Sequence, residues 1–132
     1  MGKFRKASDE VVKIAEHIIN LYHEELMDAR IGLLFRDEAP VSDGRITLGM
    51  AKKVGEDMKP YVPYDFVIWV AGDYWPELTE KQKQALIDHE LCHCARIGGK
   101  LAMRKHDIEE FTCILERHGV WYPKFLYPAL HE

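Results

Sequence analysis

The segment between residues 79 and 97 constrains the fold of this chain more than any other feature. Thr79 is followed three residues later by Gln82, which is the spacing of a capping box at a helix start. No Gly or Pro follows until Gly98 and Gly99, which predict the helix end. Apolar residues and two histidines recur in this segment at spacings of three and four. We therefore predict a helix over residues 79–97.

This helix contains an H-E-x-x-H pentad, His89-Glu90-Leu91-Cys92-His93. Histidines four residues apart share a helix face, about 6 Å apart along the axis, and can bind one Zn²⁺ ion. The adjacent carboxylate can take a proton from a zinc-bound water. A chain this rich in histidine produces the pentad by chance in roughly one case in thirty, so its helical context matters. We predict His89 and His93 as zinc ligands and Glu90 as the catalytic base.

A catalytic zinc site usually has a third protein ligand. His106 lies thirteen residues beyond His93, after two glycines that allow the chain to turn back. Imidazole suits zinc, so we favour His106 as the third ligand. Three acidic residues stay as alternatives: Asp107, Glu109 and Glu110.

Composition limits the possible partners. The 132 residues are 47% hydrophobic and 30% charged, with a net charge of −4, and predict one globular domain over residues 1–132. We expect no general nucleic-acid binding, because that requires a basic face. Lys3, Arg5 and Lys6 are interpreted as a solvated terminus. Neither a signal peptide nor a membrane-spanning run is evident, which favours the cytoplasm, and the oligomeric state stays open.

The remaining pattern predicts an α+β domain with helices on one side of a small three-stranded antiparallel sheet. The first helix covers residues 8–27 with Ser8 as its N-cap, and the last covers residues 107–118 with Gly119 at its end. Phe66–Val70 is either a strand along which a substrate could pair or an ordinary core strand. The other predicted strands are Ile31–Arg36 and Arg45–Leu48, with an extension toward Val54 left open.

Several polar residues near these motifs have both a structural and a functional interpretation. His17 and His23 fall toward the polar side of the first helix, so we expect them at the surface. We expect Asp88 and Asp107 to be solvated carboxylates, with orientation of a ligand histidine as the alternative. Candidate donors to a developing oxyanion are Tyr74, Arg117, His118 and Tyr122. The odd number of cysteines excludes a secreted disulfide framework, and we expect Cys92, Cys94 and Cys113 to be packing residues.

Four segments between about residue 28 and 122 are distinctive together: DFVIWVAGDYW, HELCH, RKHDIEEF and the later RHG-x-W. In these segments the chain resembles the phage metallopeptidase family. A more distant similarity is to SprT-like zincins, in which a third histidine precedes the last helix in an H-G-x-E-F-like setting. Here His106 begins a similar segment, with Asp107 where those proteins commonly have Gly.

The resemblance implies a zinc-dependent peptidase fold of phage or prophage origin, and it implies no particular substrate. We therefore expect a zinc metallopeptidase acting on a peptide or protein. The rival hypotheses are a zinc-binding adaptor domain without peptidase activity, and a protein in which the pentad is accidental and binds no metal.

Overall fold

A computed structural model of the protein describes residues 3–105, 112–119 and 121. Two helices pack against one face of a four-stranded sheet, which confirms the predicted α+β class. The helices are α1 (Asp9–Tyr22), α2 (Glu80–His93) and α3 (Thr112–His118). The strands are β1 (Phe4–Lys6), β2 (Ile31–Arg36), β3 (Val41–Ser42), β4 (Arg45–Ile46), β5 (Gly49–Lys53), β6 (Phe66–Ala71), β7 (Cys94–Ile97) and β8 (Lys100–Met103).

The main sheet has the order β1-β2-β6-β5 and is mixed. Strands β2 and β6 are parallel, paired from Ile31 opposite Phe66 to Arg36 opposite Ala71, whereas β1 and β5 are antiparallel to their neighbours. The expected three-stranded antiparallel sheet is therefore corrected in strand number and direction. Strand β1 was missed because its three residues are all exposed and carry no apolar alternation. The second predicted strand is divided between β4 and β5.

The core lies between the sheet and the helices. Alternate residues of β6, Phe66, Ile68 and Val70, join the apolar face of α1 in one buried cluster. Every residue of α2 from Ala85 to Cys92 is buried. The second half of α2 therefore crosses the interior, and its polar residues there must find partners within the protein.

Helix α2 ends four residues earlier than its sequence predicts. After His93 the chain forms the β7–β8 hairpin, in which Ile97 pairs with Lys100. Gly98 and Gly99 form the hairpin turn, with φ angles of +59° and +81°. Two successive positive φ values are typical of a two-residue hairpin, for which Gly-Gly is a signal. The glycines were correctly identified as a chain reversal, but the reversal joins two strands.

Helix α1 also ends before its predicted end at residue 27: it stops at Tyr22, and Glu24–Leu26 forms a separate 3₁₀ turn. Gly119 has a φ of +67°, as expected for the residue after a helix. Residues 106–111 and 122–132, including the predicted start of the last helix, lie outside the described residues. None of the helices in the described ranges has the length and apolarity needed to cross a bilayer.

Candidate metal centre

The pentad is held in place by a well-formed helix start. The Thr79 hydroxyl accepts from the Gln82 backbone N–H at 3.1 Å, and the Gln82 side chain accepts from the Thr79 N–H at 2.9 Å. This is the predicted capping box, and it satisfies two backbone donors at the end of α2. The helix then continues without a break to His93, so the pentad is helical as expected.

Three potential ligand groups converge at the C-terminal end of α2. One ligand atom each from His89, Glu90 and His93 lies within 4.8 Å of the other two. The centroids of the two imidazole rings are 5.2 Å apart. His89 is 9% exposed and Glu90 only 3%. The two imidazoles at the boundary of the core suit zinc, which prefers nitrogen ligands of this kind, and the carboxylate of Glu90 lies beside them.

The second histidine is fixed by the hairpin that follows it. His93 Nδ1 lies 2.8 Å from the Arg104 carbonyl oxygen, and the Arg104 N–H donates to the His93 carbonyl at 2.7 Å. A carbonyl oxygen only accepts, so Nδ1 must carry the proton. The remaining nitrogen, Nε2, then has a lone pair for a metal. Arg104 directly follows β8, and its backbone carbonyl orients the His93 ring. A sequence motif of side chains does not reveal such a backbone partner.

Gly49 makes room for the carboxylate of Glu90. A Cβ atom at this position would lie 3.0 Å from Glu90 Oε2 and 3.1 Å from the Trp69 carbonyl oxygen. Any side chain here would therefore displace Glu90. The sequence contains a weak signal for this contact, because a glycine inside a strand often marks a close approach of another group. Our sequence interpretation missed Gly49 as a functional residue.

Trp121 packs near the first histidine of the pentad. Its indole ring is 6.4 Å from the His89 ring, centroid to centroid, and it is 6% exposed. Gln82 Nε2 donates to the Trp121 carbonyl at 3.4 Å. Gln82, a member of the capping box of α2, thus also holds Trp121 near His89.

Comparison with known protein families shows the family to which the chain belongs. The family model described as "Putative phage metallopeptidase" matches residues 3–128. The protein belongs to this phage metallopeptidase family. No curated protein and no solved structure matches the chain. The family name implies a bound metal ion, and the convergence of His89, Glu90 and His93 is consistent with it.

The protein carries a second buried polar cluster, centred on Asp88. This carboxylate is 0% exposed, and it accepts from His23 Nε2 at 2.6 Å, from Arg117 at 2.7 and 2.8 Å, and from His118 Nε2 at 3.0 Å. Burial by itself would raise the pKa of Asp88, but the bonds from His23, Arg117 and His118 lower it below its usual value. The cluster ties α2 to α3 and to the end of α1.

This network corrects two expectations from the sequence. Asp88 is not solvated, and His23 is only 5% exposed rather than at the surface. His23 follows the last residue of α1 and has a non-helical φ of −133°, so the helical pattern does not fix its direction. His17 is exposed as expected. His23, Asp88 and Cys92 also lie close enough to hold a metal, but the Arg117 guanidinium already bridges both oxygens of Asp88.

The other predicted residues are distributed as follows. Cys92 and Cys94 are both 2% exposed, which confirms them as buried residues, and burial raises the pKa of Cys94 to about 12. Arg117 and His118, two candidate oxyanion donors, bind Asp88 instead. Tyr74 is half-buried. His106, its acidic alternatives Asp107, Glu109 and Glu110, and the fourth oxyanion candidate, Tyr122, lie outside the described residues.

Proposed function

We propose that this protein is a zinc-dependent metallopeptidase that hydrolyses peptide bonds. His89 and His93 would hold the zinc through imidazole nitrogens, with His106 as the third ligand on the strength of the sequence. The observation that carries the proposal is the convergence of His89, Glu90 and His93 within 4.8 Å. The proton on His93 Nδ1, held by the Arg104 carbonyl, supports it by leaving Nε2 for the metal.

In this proposal Glu90 is the general base and afterwards the general acid. When bound, zinc lowers the pKa of a coordinated water toward about 7 and polarises the scissile carbonyl. Glu90 accepts the proton of the attacking water and later donates it to the leaving amine. Its almost complete burial favours this function, because electrostatic effects are stronger where water is excluded. The absence of a side chain at Gly49 allows the carboxylate to occupy its position.

Strand β5 is the better candidate for binding an extended substrate. Phe66–Val70 lies between β2 and β5 and has no free edge, so the substrate strand considered from the sequence was wrong. At the two ends of the β5–β6 pairing, the Ala71 N–H donates to the Leu48 carbonyl and the Val54 N–H donates to the Asp65 carbonyl. In an antiparallel pair, only every second residue of a strand forms hydrogen bonds with the neighbouring strand. Counting from Leu48, the backbone groups of Gly49, Ala51 and Lys53 therefore point away from β6.

A peptide could therefore add to β5 as a further strand. Its backbone would pair with Gly49, Ala51 and Lys53, next to the carboxylate of Glu90. No strand of the described residues pairs with this edge. We propose that the scissile bond is aligned with Glu90 by this pairing, which would make recognition depend largely on the substrate backbone.

The test is a variant that keeps the metal ligands and removes the base. Glu90→Gln should keep zinc binding and lose peptide hydrolysis, because an amide cannot accept the proton. The substrate for the assay comes from a proteome-derived peptide library incubated with and without a chelator. Glu116→Gln, an exposed glutamate on α3, is the matched control and should cleave like the parent protein. Cleavage by Glu90→Gln at the parent rate would refute the assigned base. A zinc-loaded protein without any chelator-sensitive cleavage would favour the adaptor hypothesis.

A further inference from the structure

Two thiols meet where α2 packs against α3. Cys92 Sγ and Cys113 Sγ are 3.6 Å apart, and both cysteines are free. Cys92 is buried, whereas Cys113 is half-buried. We propose that Cys92 and Cys113 form an intramolecular disulfide when the protein is exposed to a peroxide. The proposal does not depend on whether the pentad binds zinc.

The geometry requires only a small movement. The sulfur atoms of a disulfide are about 2.05 Å apart, so the two thiols must approach by about 1.5 Å. The surrounding network holds their helices together, since Arg117 on α3 bonds to Asp88 on α2, one turn before Cys92. Cys92 Sγ itself lies 3.8 Å from Asp88 Oδ1. The two thiols therefore face each other across a contact that is already fixed by an ion pair.

A small oxidant can reach Cys113, because this side chain is only half-buried. A cavity of about 350 Å³ is bordered by His23, Cys92 and Cys94 and is lined further by residues of the β7–β8 hairpin. Cys92 borders this cavity and Cys113 does not, so the cavity adjoins one thiol of the pair. Cys94 borders the same cavity, but its Sγ lies 3.7 Å from the Glu90 carbonyl oxygen of its own segment. Cys94 therefore serves as an internal control for Cys92, since both line the cavity but the Cys94 sulfur lies near a carbonyl oxygen instead of the Cys113 thiol.

The chemistry proceeds in two balanced steps. The sulfur of Cys113, the more exposed thiol, attacks one oxygen of hydrogen peroxide; the O–O bond breaks, and a sulfenic acid and one water form. The sulfur of Cys92 then attacks the sulfur of Cys113. The hydroxide that leaves combines with the proton of Cys92 as a second water, and the disulfide remains. Two thiols are oxidised, and one peroxide is reduced to two waters.

The bond would link the pentad directly to α3. Cys92 lies between Glu90 and His93 in the chain, so the cross-link would restrain the helix segment that carries all three candidate site residues. In a reducing compartment such disulfides are transient and are typical of redox sensing rather than of structural support. We therefore expect the bond to be reversible by a dithiol.

The experiment treats the full-length protein with hydrogen peroxide, blocks remaining thiols with an alkylating agent under denaturing conditions, and maps the peptides by mass spectrometry. We expect a Cys92–Cys113 cross-linked peptide, one alkylated thiol at Cys94, and loss of the cross-link after dithiothreitol. Cys94→Ser should still form the bond, whereas Cys92→Ser and Cys113→Ser should not. Circular dichroism of each variant checks that it is folded. The cross-link mapped in the parent protein tests the proposal even if a variant does not fold.

Other products would overturn the proposal. These are three alkylated thiols after treatment, a Cys92–Cys94 bond, a bond between two chains, or Cys113 oxidised further while Cys92 stays reactive.

Discussion

Replacing Gly49 with alanine tests whether Glu90 is positioned by the edge of the sheet. The added Cβ would lie 3.0 Å from Glu90 Oε2, whereas ordinary contacts at such positions begin at 3.4 Å. The carboxylate must therefore move by a few tenths of an ångström. A misplacement of about 1 Å at a reacting group can cost about a hundredfold in rate, so we expect Gly49→Ala to lower kcat/KM about tenfold, or about 1.4 kcal/mol.

The same substitution should leave the rest of the protein intact. Inside a strand, alanine is more stabilising than glycine by about 0.5–1 kcal/mol. This gain offsets the cost of the close approach to the Trp69 carbonyl at 3.1 Å. We therefore expect the free energy of unfolding to change by less than about 1 kcal/mol. The three atoms nearest to the new methyl group belong to Glu90 and Trp69 rather than to a histidine, so zinc content should equal that of the parent.

Gly32→Ala is the matched control. Gly32 lies in β2 of the same sheet, and the three atoms nearest to its added Cβ belong to the Tyr64 ring, at the ordinary contact distances of 3.5–3.6 Å. We expect this variant to cleave a chelator-sensitive peptide at the parent rate. The reasoning fails if Gly49→Ala is as active as Gly32→Ala while both are folded. It also fails if Gly49→Ala loses zinc, because the effect would then act on the ligands rather than on the base.

Two further predictions concern the Asp88 cluster. Asp88→Asn leaves the Arg117 guanidinium without its buried counter-charge, and should lower the free energy of unfolding in urea by about 3–5 kcal/mol. Asp28→Asn, which breaks the exposed pair with Arg96, is the control and should cost less than about 1 kcal/mol; equal effects would show that burial does not matter. The pKa of Asp88 is lower in the folded protein than its unfolded value of about 3.9, so its contribution to stability is present above that pH and is lost as the pH falls through the folded pKa. The stability difference between parent and Asp88→Asn should therefore shrink below about pH 4 in urea titrations, and a difference that grew there would contradict the assignment.

The sequence predicts the central part of the site because its signals are local. The capping box of Thr79 and Gln82, the helical pentad and the strands Ile31–Arg36 and Phe66–Ala71 depend on spacing and residue type within a few positions. Gly98 and Gly99 show the limit of such signals. A glycine pair ends a helix or turns a hairpin equally well, and only the pairing of β7 with β8 decides between them.

The features that the sequence could not predict depend on contacts between distant residues. The parallel pairing of β2 with β6 brings together segments separated by the β3–β5 region, and no local pattern specifies strand direction. His23 and Asp88 are 65 positions apart, so their bond follows from the packing of α1 on α2. The same holds for Gly49 and Glu90 and for the Arg104 carbonyl that binds His93.

The most direct test of the central claim is the zinc content of purified protein after dialysis, measured by inductively coupled plasma mass spectrometry. His93→Ala removes a proposed ligand, and His17→Ala removes an exposed histidine of α1 as the matched control. We predict one equivalent of zinc in the parent and in His17→Ala, and a large loss in His93→Ala. Absence of metal from the parent, or retention of a full equivalent by folded His93→Ala, would contradict a zinc site built on this pentad.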